Sequence, residues 1–331
     1  MRELAASGDT IIETRGLPRV PRGRRHLRYV NAAGDIAWTF AGGRIFATRS
    51  RASAWFSPSN TLPSHLGRPA VVTIHDLNFL VPGTNYDERF RAYATRMFAR
   101  SARSAQRIIT VSGYSATMIA DAFSIDPSRI TVAYPGLDHV FRVTAASLPP
   151  FALRPFALFV GQTEPHKNIG LLIDAWASGV PRDLRLVIAG PPGRDHALLT
   201  GRARSGPASD RIQFLGRVPD EVLAALYERA TCFLFPSLAE GFGLPPLEAM
   251  ARGTVTAVAA TTSLPEVTRD GAAHFDPHDA GALARLVTRL VEDAGLRARL
   301  ADRGRAVALD YRWSRTAAAV WQAIRQAEAD A

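Results

Sequence analysis

A chain of 331 residues with 47% hydrophobic and 21% charged side chains has the composition of a soluble globular protein and is too long for one ordinary core, so two domains are expected. No run reaches the roughly 18 uncharged apolar residues that a membrane span requires, and MRELAASGDTIIETRG lacks a basic-then-apolar leader pattern, so the expected location is the cytoplasm. One cysteine, Cys232, excludes an internal disulfide and reads as a small buried hydrophobe.

The predicted elements alternate strand and helix, which implies α/β layers over mostly parallel sheets. In the first half AVVTIH (70–75), RIITV (107–111) and ITVAY (130–134) read as short buried strands, with helices over 86–104 and 113–124. Ser112 and Ser115 stand where the second of these helices would be capped. The Pro- and Ala-rich stretch 144–155 has no period and reads as the linker after a first domain of residues 1–143. A second series follows over 156–310: FALFVG (156–161), a helix capped by Asn168, LRLVIAG (184–190), RIQFLG (211–216), a helix over 219–229 and TCFLFPS (231–237). It continues with a helix from about Leu244, TVTAVAA (254–260), AAHFDP (272–277) and helices at 278–293 and 296–308. A final helix within 311–331 carries Trp313, Val320, Trp321 and Ile324 at helical spacing, and is expected to cross back to the first domain. Trp176, Trp313 and Trp321 read as core. Two such doubly wound domains facing each other form a cleft, and ligands of these folds gather at the carboxyl ends of strands.

The net charge of +10 is unevenly spread. Residues 1–142 hold 19 Arg against 10 acidic residues, and the remainder holds 21 basic against 20 acidic. Arg19, Arg22, Arg24, Arg25 and Arg28 form a patch that suits an anionic membrane face, an acidic glycan or a nucleic acid, or is simply a solvated surface. Aromatic residues are not interleaved with it as in a nucleic-acid module. Of the 40 basic residues, only Lys167 is lysine. A compact ammonium differs from a guanidinium where a cation must enter a tight site at a phosphate.

The segment SLAEGFGLPPLEAMARG (237–253) carries the densest chemistry. Gly241 and Gly243 leave backbone bare beside Phe242, just before a helix with Pro245 and Pro246 in its first turn. Free amides at a helix N-terminus favour an anion such as a diphosphate. Glu240 and Glu248 would repel that anion, so accepting hydrogen bonds from sugar hydroxyls is their natural work. In FVGQTEPHKNIGLLIDAW (159–176), Gly161 ends a strand, and Lys167 follows it beside a helix start.

These stretches, with TIHDLNFL, IITVSGYSA, RIQFLGRV, LYERATCFLFPS, TSLPEV and HFDPHD, resemble family 4 glycosyltransferases over about residues 70–315. The resemblance implies the α/β GT-B fold, with an N-terminal acceptor domain and a C-terminal nucleotide-sugar domain. It places Glu240 toward the transferred sugar and Glu248 on the ribose hydroxyls, matching the family's E-x7-E element. It brings the amides of Gly241, Phe242, Gly243 and Leu244 to the sugar and distal phosphate, and Lys167 to the diphosphate. Arg217 and Val218 fall in the base-binding segment, Gly161 and Gln162 line the phosphate turn, and His75, followed by Asp76, reaches the sugar from the opposite domain. Glu266 stands either near the nucleotide or simply at a helix start. Gln162 and His166 replace residues that are often Arg in the family. Family members also open with a strand and a Gly-rich loop, whereas RELAASGDTIIETRG reads as the end of the following helix and then the second strand, so either the start is misplaced or the first βα unit is missing.

The implied function is retaining transfer of a hexose, mannose favoured, from GDP-mannose or another nucleotide-diphosphate sugar to a glycan or lipid-linked acceptor. No cofactor is implied, and the lack of an Asp-x-Asp element fits metal independence. The alternatives are a catalytically silent GT-B scaffold, a basic nucleic-acid or membrane-surface binder through Arg19–Arg28, and a GT-B epimerase, against which the paired glutamates argue; on the favoured reading the Arg19–Arg28 region can touch an anionic inner membrane face, and nucleic acid is not an expected partner. The histidines at 26, 65, 139, 196, 274 and 278 show no metal-ligand spacing and receive no role.

Overall fold

The computed structural model describes Ile45 and residues 52–63, 65–148 and 154–331. The expected helix end and second strand near the N-terminus and the Arg19–Arg28 patch lie outside these residues. Elements are labelled in chain order from Trp55. Residue contacts gather the chain into two compact units. The first joins the described residues up to Leu77 with Asp87–Tyr134 and Ser314–Ala331, and the second joins Asn78–Tyr86 with Pro135–Trp313.

Among the described residues the first unit is built on four parallel strands in the order β1 (Trp55–Ser57), β2 (Ala70–Thr73), β3 (Arg107–Thr110), β4 (Ile130–Val132). Every residue of β2 is buried, as expected where both faces of a parallel sheet are covered. Helix α1 (Glu88–Ser104) joins β2 to β3 and begins at residue 88 because Asp87 accepts hydrogen bonds from the amides of Arg89 and Phe90 at 2.9 and 3.1 Å. Helix α2 (Gly113–Phe123) is capped by Ser112, whose Oγ accepts from Ser115 N at 3.1 Å.

Among the described residues the second unit holds six parallel strands in the order β10-β9-β8-β5-β6-β7. These are β5 (Phe156–Val160), β6 (Arg185–Ala189), β7 (Ile212–Gly216), β8 (Cys232–Phe235), β9 (Thr256–Ala259) and β10 (Ala272–Phe275). The chain lays β6 and β7 on one side of β5, then returns to lay β8, β9 and β10 on the other. The reversal opens a crevice outside the carboxyl ends of β5 and β8, where open α/β sheets bind ligands. Its helices are α3 (Ile169–Ser178), α4 (His196–Ser205), α5 (Asp220–Arg229), α6 (Leu244–Ala251), the short α7 (Leu264–Thr268), α8 (Ala280–Glu292) and α9 (Ala294–Ala308). Trp176 of α3 is buried, with Nε1 donating to Leu184 O at 3.1 Å.

The last helix, α10 (Trp313–Ala329), belongs from Ser314 onward with the first unit. Ala317, Val320, Ala323, Ile324 and Ala327 form its apolar face and pack with Val71, Ile109 and Ala133, with Trp321 at the margin.

The contacts divide the chain at Tyr134/Pro135, ahead of the boundary at 143 that composition suggests. Segment 135–143 is irregular in sequence but is tied to the second unit. Leu137 N donates to Tyr311 O at 3.0 Å, and Arg252 Nη2 donates to the carbonyls of Val140 and Val143. Within the linker expected at 144–155, residues 149–153 lie outside the described ones. No helix among the described residues is long and apolar enough to cross a membrane.

Candidate functional site

Glycines end three adjacent strands of the second unit. Gly161 N donates to Ala189 O at 2.9 Å and Gly190 N to Gly216 O at 2.8 Å. A Cβ on Gly190, at φ +142°, would lie 2.1 Å from Gly161 O, so only glycine allows this approach. Past β5 the chain makes a tight turn in which Thr163 Oγ1 accepts from Gly193 N at 2.6 Å and Lys167 N donates to Glu164 O at 3.0 Å. Asn168 does not cap α3 as its type suggests. Its backbone is left-handed (φ +52°), and its Nδ2 donates instead to Pro277 O at 2.9 Å, anchoring the turn to the end of β10. His166 O accepts from Leu238 N at 2.8 Å and Ser237 Oγ at 3.1 Å, joining this turn to the loop after β8.

The loop after β8 is held from its other side by the turn before α7. Glu240 N donates to Thr262 Oγ1 at 3.1 Å, Ser263 Oγ donates to Glu240 O at 2.9 Å and Phe242 O at 3.2 Å, and Thr261 Oγ1 donates to Ser237 O at 2.9 Å. Phe242 is buried edge-on against Tyr311, with ring centroids 5.5 Å apart. Gly243 sits at φ +101° immediately before α6, and a Cβ there would meet Leu264 Cδ2 at 2.7 Å. Pro245 and Pro246 lack N–H groups, so the amide donors at the mouth of α6 come from Leu244 and the residues before it.

Lys167 Nζ lies 2.5 Å from Glu240 Oε1, with the two side chains 16% and 12% exposed. The ammonium also stands 5.1 Å from the centre of the Phe235 ring. Two charges are thus held largely out of water by each other, at the switch point of the sheet. Beside them, burial first and the Lys167 charge second lower the pKa of His166, which favours its neutral form. Glu248, on α6, accepts from Tyr227 OH at 3.0 Å on one oxygen and has His139 Nε2 at 3.4 Å from the other. Burial and then the Glu248 charge keep the Tyr227 phenol protonated, well above its ordinary range. The Glu248 hydrogen bond raises the pKa of His139.

Gln162 is exposed, with Nε2 3.4 Å from Pro192 O. Arg217 is exposed and Val218 partly buried, directly after the left-handed Gly216 that ends β7. Glu266 lies in the first turn of α7. His75 lies in the first unit, exposed at the end of β2, with its amide on Asn60 Oδ1 at 3.0 Å and Nε2 3.2 Å from Pro58 O. The structure therefore brings Lys167 and Glu240 into contact and groups Gly161, Gly241, Phe242, Gly243, Leu244 and Glu248 on the same unit; His75 belongs to the other. Sequence reasoning missed His139, Tyr227, Thr262 and Ser263. Tyr227 stood inside a recognisable motif, but nothing local marks His139, which meets Glu248 across 109 positions of sequence.

Comparison with known proteins identifies the class to which this fold belongs. Residues 145–307 match the family model described as glycosyl transferases group 1, and residues 8–141 match glycosyltransferase family 4. The O-antigen chain mannosyltransferase B of Escherichia coli is 35% identical over 271 residues, covering 78% of this chain and 70% of that one. The serotype-specific mannosyltransferase WbdA of Escherichia coli is 29% identical over 325 residues; these cover 92% of this chain but only 38% of WbdA. Among solved structures, sucrose-phosphate synthase from Thermosynechococcus elongatus superposes with a TM-score of 0.77 at 20% identity, covering 99% of this chain and 92% of that one. HepE of Anabaena, solved with UDP and glucose, gives 0.69 at 21% identity over 82% and 77%. The chain belongs to the family 4 GT-B glycosyltransferases.

Proposed function

We propose that this glycosyltransferase moves a hexose, with mannose favoured, from a nucleotide-diphosphate sugar to a glycan or lipid-linked acceptor, with retention at the anomeric carbon. The observation that carries the reading is the meeting of Lys167 and Glu240 at the β5/β8 switch point, beside the amides that precede α6. A diphosphate leaving group needs positive charge where its own negative charge develops. Lys167, the amides of Gly241 to Leu244 and the dipole of α6 supply it from fixed positions, without calling on a metal.

In this reading the donor's diphosphate takes over the Lys167 ammonium. Glu240, released from its ion pair, then accepts hydrogen bonds from the sugar hydroxyls. Glu248, already oriented by Tyr227, takes the ribose hydroxyls, while Gly161, Gln162, Arg217 and Val218 line the phosphate turn and the base. For the first unit we assign His75 a role toward the transferred sugar. The bond between the anomeric carbon and the phosphate oxygen breaks, the acceptor oxygen bonds that carbon on the same face, and the departing phosphate oxygen takes the acceptor's proton. Glu240 orients the sugar and forms no bond to it.

The mannosyltransferase names of two relatives support the sugar, and with it GDP-mannose as the favoured donor. The UDP and glucose held by HepE support the nucleotide-sugar class. Calorimetric titration with GDP, UDP and ADP tests the donor site. One nucleotide, GDP first, is expected to bind; a folded protein that takes up none of the three overturns the reading.

A further inference from the structure

Residues Asn78–Tyr86 leave the first unit after Leu77 and rejoin it at Asp87, yet they pack with the second. Internal bonds make this segment a compact strap. Phe79 is buried, Val81 N donates to Asn78 O at 3.1 Å, and the buried Thr84 donates through Oγ1 to Val81 O at 2.7 Å. Gly83 and Asn85 bend its backbone through left-handed conformations, at φ +81° and +50°.

Arg194, in the loop between β6 and α4, fastens the strap. It donates through Nη1 to Asn85 O and through Nη2 to Thr84 O at 3.3 Å, and its guanidinium lies 5.6 Å from the centre of the Tyr86 ring. The same guanidinium donates through Nε to Glu164 Oε2 at 2.6 Å, while Arg194 N donates to Glu164 Oε1 at 3.3 Å. Gly193 permits this grip, since a Cβ there would stand 2.6 Å from Thr163 O and 2.9 Å from Glu164 Oε1. Tyr86 in turn faces His166, with the rings 18° from parallel and their centroids 6.3 Å apart. Glu164 and His166 flank Pro165 immediately ahead of Lys167. The turn that carries the ammonium is thus gripped on one side by Arg194 and Tyr86, and on the other by Ser237 and Leu238 through His166 O.

With the Arg194 side chain 45% exposed, its ion pair adds little to overall stability. Its donors serve local geometry instead, and a planar fork can reach an acid and two carbonyls at once where an ammonium cannot. We propose that Arg194 is a positioning residue of the donor site: by clipping Thr84–Tyr86 over the turn 162–167, it holds the Lys167 ammonium where the donor diphosphate meets it. This rests on the diphosphate role proposed for Lys167. The coupling is reciprocal, so a nucleoside diphosphate on Lys167 tightens the strap.

The test pairs calorimetry with hydrogen exchange on the full chain, using whichever of GDP, UDP and ADP wild type binds and the matching monophosphate. R194A is expected to bind the diphosphate roughly three- to thirtyfold more weakly. R194K, whose ammonium cannot bridge Glu164 and both carbonyls, is expected to recover little of that loss. The monophosphate should separate these variants from wild type far less. In the K167A/E240Q background R194A should cost nothing more, because the residue it acts through is gone. R202Q, at an exposed pair on α4, should bind as wild type. Unchanged thermal unfolding confirms each fold, and should R194A fail to fold, R194K carries the test. Exchange over residues 81–86 should slow when the diphosphate is added to wild type and quicken in R194A. Wild-type affinity in the arginine variants, an equal loss with Lys167 absent, or exchange over 81–86 that ignores the diphosphate overturns the proposal and leaves the donor site standing. A folded wild type that binds none of the three nucleotides overturns the donor reading itself, and the proposal falls with it.

Discussion

Replacing Lys167 with alanine removes the ammonium that Glu240 holds and that the donor diphosphate is proposed to use. Two effects follow, and they can be separated. A hydrogen bond to a charged group contributes about 1.5–3 kcal/mol, so its loss weakens nucleoside diphosphate binding roughly ten- to hundredfold. The substitution also leaves the Glu240 carboxylate, 12% exposed, without its partner at 2.5 Å and facing an anion. At about 6 Å and an effective dielectric constant of about 20, that repulsion adds about 3 kcal/mol. Lys167→Ala should therefore lose on the order of a thousand- to ten-thousandfold in affinity. The double variant K167A/E240Q, with the repulsion gone, should recover to the smaller loss. A nucleoside monophosphate, which lacks the distal phosphate, should distinguish the variants much less. Isothermal calorimetry measures all three. If Lys167→Ala binds the diphosphate as tightly as wild type, or the double variant binds no better than the single one, the assignment of Lys167 is refuted.

Gly243→Ala forces a Cβ into Leu264 at 2.7 Å on a residue at φ +101°; it should cost about 1–3 kcal/mol in urea unfolding and weaken nucleotide binding, and wild-type stability would refute the strain argument. His139 has its pKa raised from 6.5 by the hydrogen bond to Glu248, so the contact's stabilisation is complete below 6.5 and fades as pH climbs through the higher folded-state value. NMR titration should show the His139 midpoint falling in Glu248→Gln, and an unchanged midpoint would contradict the contact. Cys232 is fully buried, and burial pushes its thiol up to about 12; it should resist alkylation in mildly alkaline buffer until the protein is unfolded, and rapid labelling of the folded protein would contradict that burial.

Strands buried on both faces were legible as continuous apolar runs, as in FALFV of β5 and CFLF of β8, whereas β1, three residues long, was not read from the sequence. Helix α4 was not, since only Leu199 and Ala203 of HALLTGRARS are buried and two residues make no period. The division at Tyr134/Pro135 was hidden for a different reason: the groups that bind 135–143 to the second unit, Tyr311 and Arg252, lie more than a hundred positions away. At the site, Lys167 stood out as the one lysine among arginines, and Glu240 by the glycines that follow it. Their mutual contact spans 73 positions and could not be read from either segment. Asn168 shows the limit of residue type as a guide. A cap-forming side chain was diverted to Pro277 by a left-handed backbone that no local pattern announced.

The most direct test of the central claim is a transfer reaction with GDP-mannose and a set of mannose-terminated glycan and lipid-linked acceptors, with the product's anomeric configuration read by NMR. The account predicts release of GDP, a glycosidic linkage of the same α configuration as the donor, and loss of turnover in Glu240→Gln with nucleotide binding retained. A β-linked product, or undiminished turnover in Glu240→Gln, would contradict it.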